Sequence, residues 1–133
     1  TNIGIHFFDL IGWLFGSVRQ SVVHLREPQR AGGTLELERA DVQWYLSTES
    51  SDLPFEPQPG VKTTFRSITV DGEEVEFSEG FTDLHTRVYE EVLAGRGFGI
   101  ADARPSVELT AQIRSAGIVA PGPGAHPKVV ARG

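Results

Sequence analysis

The order of hydrophobic periods along the chain predicts an α+β domain, a mainly antiparallel open-faced sheet with helices packed on one face. Three observations carry this expectation. The chain opens with an apolar segment at helical spacing that runs to Gly16. Residues 17–77 are alternating or rich in β-branched side chains and contain Asp71-Gly72, the dipeptide best suited to a tight hairpin turn. From Thr82 the period returns to that of a helix.

In the opening helix, Ile3, Phe7, Leu10 and Leu14 form one apolar face and Ile5, Phe8, Ile11 and Phe15 another. Asn2, His6 and Asp9 fall within roughly 60° of one another, with Trp13 near the same line. A helix so apolar is expected to be buried nearly all round. A buried imidazole beside a carboxylate must be hydrogen-bonded, because an unpaired group costs about 1–3 kcal/mol. The polar stripe is therefore either a satisfied structural network or a working site. Gly16 suits the left-handed helix end.

Residues 17–26 read as a strand, and 26–33, with their Pro and Gly, as a polar turn. Residues 34–39 and 42–49 read as a hairpin, 50–60 as a long Pro-rich loop, and 63–70 with 73–77 as a second hairpin about Asp71-Gly72. Leu84, Val88 and Val92 then share one helical face, with Phe81, His85 and Tyr89 beside it, Thr82 as cap and Gly95 as terminator. Residues 101–117 read as a last helix, with Asp102 as N-cap and Pro105 in its first turn. The glycines and prolines after Gly117 predict a flexible tail, 117–133. Trp44, Leu46, Phe65 and Ile68 offer more apolar area than one open sheet should expose, which predicts sheet-to-sheet association of copies.

Composition narrows the function classes. A chain of 133 residues suffices for one domain with a real core. Its 39 % hydrophobic content is that of a globular protein, and no apolar run approaches the ~20 residues of a membrane span. A net charge of −6 argues against nucleic-acid binding, whose affinity rests on cationic contacts to phosphate. With no cysteine there is no disulfide framework, thiolate metal site or thiol nucleophile, which fits a cytoplasmic setting. The apolar helix begins with no cap or leader ahead of it, and this is the expected appearance of the C-terminal part of a longer protein.

Among the candidate residues, His6 can exchange a proton near neutrality, and a nearby carboxylate can orient it. His6 and Asp9 lack a third metal ligand at a telling spacing, so no metal is assigned. GRGFG, residues 95–99, follows a helix where a dinucleotide loop follows a strand, and it is read as a helix end and turn. His85 reads as packed or interfacial, Arg66 and Arg104 as surface residues, and His24 and His126 receive no role.

NIGIHFFDLIGWLFG resembles the segment of the Gfo/Idh/MocA family of NAD(P)-dependent sugar oxidoreductases whose pattern is D-x-G-x-H-x-x-D, here Asn2, Gly4, His6 and Asp9 with Asn in place of the first Asp. The run from Arg66 to Ala116, which includes FTDLH, is similar to a subgroup, the UDP-N-acetyl-2-amino-2-deoxyglucuronate 3-dehydrogenases of bacterial surface-polysaccharide (lipopolysaccharide) synthesis. The resemblance covers nearly the whole chain except the tail.

By that resemblance His6 is the acid/base that relays the proton of a sugar hydroxyl, Asn2 bonds the substrate near the reacting carbon, Gly4 leaves room for the sugar ring, and Asp9 orients the helix or the imidazole. Phe81, Thr82 and His85 are implied as substrate contacts. The resemblance further implies that 1–116 is a C-terminal substrate-binding and oligomerisation domain, that NAD is bound mainly by an N-terminal Rossmann domain absent from these residues, and that copies form a homodimer or homotetramer through the sheet face. The family's glycine-rich fingerprint and catalytic lysine do not occur here, so the chain alone is expected to be inactive. The competing reading is a free-standing, non-catalytic binding or dimerisation module on the same scaffold.

Overall fold

A computed structural model describes residues 2–61, 63–79 and 83–132, with the side chains of Asn2 and Ile3 outside the description. The chain divides into two units, Thr1–Thr48 with Phe98–Gly133, and Glu49–Gly97.

In the first unit, helix α1 (Asn2–Phe15) is followed by strands β1 (Val18–Arg26), β2 (Arg30–Leu37) and β3 (Asp41–Ser47), and the unit is completed by helices α3 (Ile100–Ser115) and α4 (Pro127–Val130). The strands form one antiparallel sheet in the order β1-β2-β3, with Val23 opposite Gly33 and Gly33 opposite Trp44. Phe8 and Ile11 of α1, Leu109 and Ile113 of α3, and Val23, Leu35, Leu37 and Trp44 of the sheet make the core. The Phe8 and Trp44 rings meet edge to face, their centres 5.3 Å apart and planes at 84°, a favoured aromatic geometry. The α+β expectation holds, with α1 and α3 on one sheet face.

Two arginines tie the helix ends into this unit. Arg26 of β1 donates to the carbonyls of Arg114 and Ala116, both at 2.8 Å, and of Ile113 at 3.4 Å, where α3 ends. Arg39 donates to the Leu14 carbonyl at 2.9 Å, where α1 ends. Both bring positive charge to carbonyls that lack helical partners. The end of α1 at Gly16 is as expected, with φ +90° and its N–H on the Gly12 carbonyl at 2.9 Å.

Several expectations are corrected. First, α1 is not buried all round. Three strands and one helix cover a single side of it, so Phe8 and Ile11 are buried while His6, Asp9, Trp13 and Leu14 are exposed. Second, Ala31, Gly32 and Gly33, read as turn, lie within β2. Their smallness serves packing across the sheet: a Cβ at Gly33 would meet the Val22 carbonyl and, at 3.0 Å, the Trp44 ring, and one at Gly32 would meet Val129. Third, α3 starts earlier than expected. Gly99 is its N-cap, and Asp102 sits at the third helical position, accepting the Gly99 N–H at 2.7 Å. Pro105 is therefore the sixth helical residue and leaves the Ala101 carbonyl without its usual donor.

The segment expected as a flexible tail, 117–133, is instead fastened to the sheet. Ile118 bridges Val23 in parallel, Ala125 and Val129 are buried, and α4 forms behind His126. Buried apolar side chains offset the cost of ordering a Gly- and Pro-rich segment. Trp44 and Leu46 do not supply an outer apolar face either: both pack against the α1 core, and Phe65 and Ile68 belong to the second unit. The outer face of the three-stranded sheet carries Gln20, Thr34, Glu36, Gln43 and Tyr45, paired across the strands in register.

The second unit contains a single 3-10 turn (Ser50–Asp52), the hairpin β4 (Ser67–Val70) and β5 (Glu73–Glu76), and helix α2 (Leu84–Leu93). The two strands form a sheet of their own rather than extending the first. Asp71 and Gly72 have φ of 50° and 87°, the pair of positive values that a type I′ turn needs. The hairpin base is tied by Arg66, whose N–H donates to the Ser78 Oγ at 2.9 Å and whose carbonyl accepts from the Phe77 N–H at 2.9 Å. The residue preceding α2 is Asp83, at φ 64°, with no side-chain cap bond. Thr82, expected as that cap, lies outside the described residues. None of this unit's described residues is buried.

Candidate active site

The candidate site is the exposed side of α1. Phe8 and Ile11, four and seven residues after Gly4, lock the opposite side to the sheet, so the helix has one allowed rotation. That rotation turns His6, Asp9 and Trp13 outward, with Trp13 80 % exposed. No hydrogen bond joins the His6 ring to Asp9. This overturns the expectation of a buried, paired imidazole, and the reason is solvation: water satisfies both groups, so nothing forces them together. His6 is thus an exposed imidazole on a helix fixed from behind.

Gly4 does not open space on this side. It faces inward, where a Cβ would stand 2.8 Å from Leu46 Cδ1 and 3.4 Å from the Phe8 ring. Its smallness lets α1 lie close to the sheet, which corrects the expectation that it makes room for a sugar ring. Asn2 lies one turn before His6 on α1, but its side chain is outside the description. Phe81 and Thr82 lie outside the described residues, and His85 is an exposed residue of α2 in the second unit. The structure therefore assembles Asn2, His6 and Asp9 on one helix and leaves His85 on another unit.

GRGFG joins the end of α2 to the start of α3, as read from the sequence. Gly99 caps α3, and Gly97 packs on Val92 so closely that a Cβ there would stand 3.2 Å from that side chain. The run does not link a strand to a helix, so it lacks the context in which such a loop holds a pyrophosphate. Among the described residues there is no cluster of three or more metal-ligating side chains, and no helix is long and apolar enough to cross a membrane.

Two residues without an assigned role turn out to be structural ties. His24 Nδ1 lies 3.0 Å from the Val119 carbonyl, and the His126 ring stacks on Tyr45 at 5.5 Å and caps α4. The signal for the second was present in His126-Pro127, since Pro favours the first position of a helix and a polar residue the position before it. Nothing local marks His24, whose partner is 95 residues away.

No protein-family model matches the chain. Among solved structures it is similar to the WlbA (WbpB) dehydrogenase from Thermus thermophilus. In its complex with NAD and alpha-ketoglutarate the identity is 52 %, the TM-score 0.86, and the match covers 96 % of this chain and 42 % of that one. In its complex with NAD and UDP-GlcNAcA the identity is 50 % and the TM-score 0.87, over 96 % of this chain and 41 % of that one. The chain thus spans about two fifths of the length of that dehydrogenase. With half of its residues identical over 96 % of its length, and TM-scores of 0.86 and 0.87, this chain is similar to one part of that dehydrogenase.

Proposed function

We propose that the chain is the C-terminal substrate-binding domain of an NAD-dependent dehydrogenase that oxidises the 3-hydroxyl of a UDP-N-acetyl-glucosaminuronic acid in surface-polysaccharide synthesis. The observation that carries this reading is the outward-facing His6 on a helix fixed from behind, in a chain half identical to a dehydrogenase that binds NAD and UDP-GlcNAcA. His6 accepts the proton of the sugar hydroxyl as its carbon gives up hydride. Proton transfer by a positioned group of this kind contributes about 10²–10⁴-fold to rate. Asn2 precedes it by one turn and holds the substrate near the reacting carbon, and Asp9, one turn after it, orients the helix or the imidazole.

The run GRGFG joins two helices, where a pyrophosphate-binding loop joins a strand to a helix. The hydride acceptor is held by residues outside this chain. What these residues supply is the proton and the substrate surface. Phe81, Thr82 and His85 add substrate contacts. Copies associate as a homodimer or homotetramer through the sheet face, in the cytoplasm.

In the longer protein, His6→Gln lowers kcat for NADH formation from UDP-GlcNAcA at least a hundredfold with NAD affinity unchanged. Turnover within tenfold of the parent sinks the assignment. Calorimetry of the isolated chain should detect no tight NAD binding, and micromolar affinity would contradict the division of labour. Sedimentation velocity that finds only monomers of the longer protein would remove the assembly.

A further inference from the structure

The C-terminal segment crosses the outer face of the three-stranded sheet from β1 to β3. It leaves the edge of β1, where the Val119 N–H donates to the Val23 carbonyl at 2.8 Å. It ends with Val129, 2 % exposed, in the space above Gly32, and with the His126 ring lying flat on Tyr45, the two planes 16° apart. The Lys128 ammonium lies 5.8 Å from the centre of the same Tyr45 ring.

The two histidines that hold this strap do so with opposite chemistry. His24 donates from Nδ1 to the Val119 carbonyl, and its Nε2 lies 3.4 Å from the Thr34 hydroxyl, which can accept as well as donate. Both contacts survive when the ring is charged. His126 instead accepts at Nδ1 from the Lys128 N–H, at 3.1 Å, which only an unprotonated nitrogen can do. A proton on that nitrogen would face an N–H. It would also place a second positive charge beside Lys128.

His126 lies against Tyr45 of β3 and beside Lys128 of α4. Arg30 lies on the same sheet face two residues from Gly32 and pairs with Glu27 at 3.7 Å. No carboxylate hydrogen-bonds to His126 among the described residues. We propose that the C-terminal strap is an acid-released latch: uncharged His126 clamps α4 onto the outer sheet face, protonation frees that end, and His24 retains the other.

Burial, and secondarily the charge of Lys128, hold the His126 imidazole below its ordinary value of 6.5. The sign follows. The released ring binds a proton more readily than the clamped one, so the latch is fully stabilised above the ordinary imidazole value. It weakens as pH falls from there through the lowered value. Release uncovers Ala125, Val129 and the Tyr45 ring.

Amide hydrogen exchange tests this on the full chain. Val129, Val130 and Ala131, whose N–H groups bond within α4, should lose protection at least tenfold between pH 7.5 and pH 5.0 after correction for intrinsic exchange. Leu35 and Val119 should not. In His126→Asn, which keeps a capping acceptor that does not titrate, the loss should shrink to within twofold. Protection that stays within twofold in the parent, or falls equally in the variant, overturns the proposal. The ring of His126, followed by NMR in the parent, must titrate at the midpoint of the loss. A separate midpoint overturns it as well.

Discussion

The two units of the chain fold on different terms. The first closes a core of eight buried apolar side chains between α1, α3 and a three-stranded sheet, and arginines seal the ends of both helices. The second has a well-matched turn but no buried side chain among its described residues: a type I′ hairpin, and an amphipathic helix whose Leu84, Val88 and Val92 remain exposed. Its strongest ties are polar, such as the Arg96 guanidinium on both Glu91 oxygens at 2.8 and 3.0 Å. That contact holds the exposed Glu91 carboxyl below its ordinary range. Exposed ion pairs stabilise little. The lesson is that turn and helix signals specify a shape, whereas apolar burial holds it.

The largest expected effect strikes the first unit. Leu35, 1 % exposed at the centre of the sheet, should cost about 2–5 kcal/mol as Leu35→Ala, read from the urea midpoint. The matching truncation in the hairpin, Val75→Ala, removes an exposed side chain and should stay within about 0.5 kcal/mol. Equal losses would erase the distinction between the units.

Next come the close approaches. Gly33→Ala drives a methyl into the Val22 carbonyl, a backbone atom that cannot move without the strand, and should cost about 2–3 kcal/mol. Gly4→Ala presses on the end of the Leu46 side chain, with the Phe8 ring at ordinary contact distance, and gains helix propensity, so its net change should remain within about 1 kcal/mol. Below Gly33→Ala, Arg26→Ala strips three carbonyl contacts from the end of α3 and should cost about 1–2 kcal/mol, the loss appearing first in exchange of the α3 amides. At the exposed start of α3, Asp102→Ala removes the bond to the Gly99 N–H and should cost about 1 kcal/mol or less by thermal melting.

Much of this was legible in the residues. The spacing of Phe8, Ile11 and Phe15 placed α1, Gly16 ended it, and Asp71-Gly72 fixed the second hairpin, because each signal acts within a few residues. For the candidate site, the grouping of His6 and Asp9 followed from helical spacing alone. Their exposure did not. An apolar stripe on two sides of a helix does not say which side a neighbour will cover, and here the sheet takes one. The same ambiguity placed Trp44 on the wrong sheet face: alternation assigns Trp44 and Tyr45 to opposite faces but does not say which face meets α1. Gly32 and Gly33 were misread because a glycine required by packing looks the same in sequence as one required by a turn.

The sequence by itself determined the order and kind of the elements up to Gly117, the hairpin turn, and the alignment of Asn2, His6 and Asp9 on one helix, since dihedral preference and side-chain period are short-range properties. Only the tertiary structure decided that His6 faces outward, that Arg26 closes α3, and that residues after Gly117 cross the sheet and clamp on Tyr45. The last two depend on partners 80 or more residues apart. Such contacts form where burial repays the entropy of closing a long loop, and that balance belongs to the folded whole.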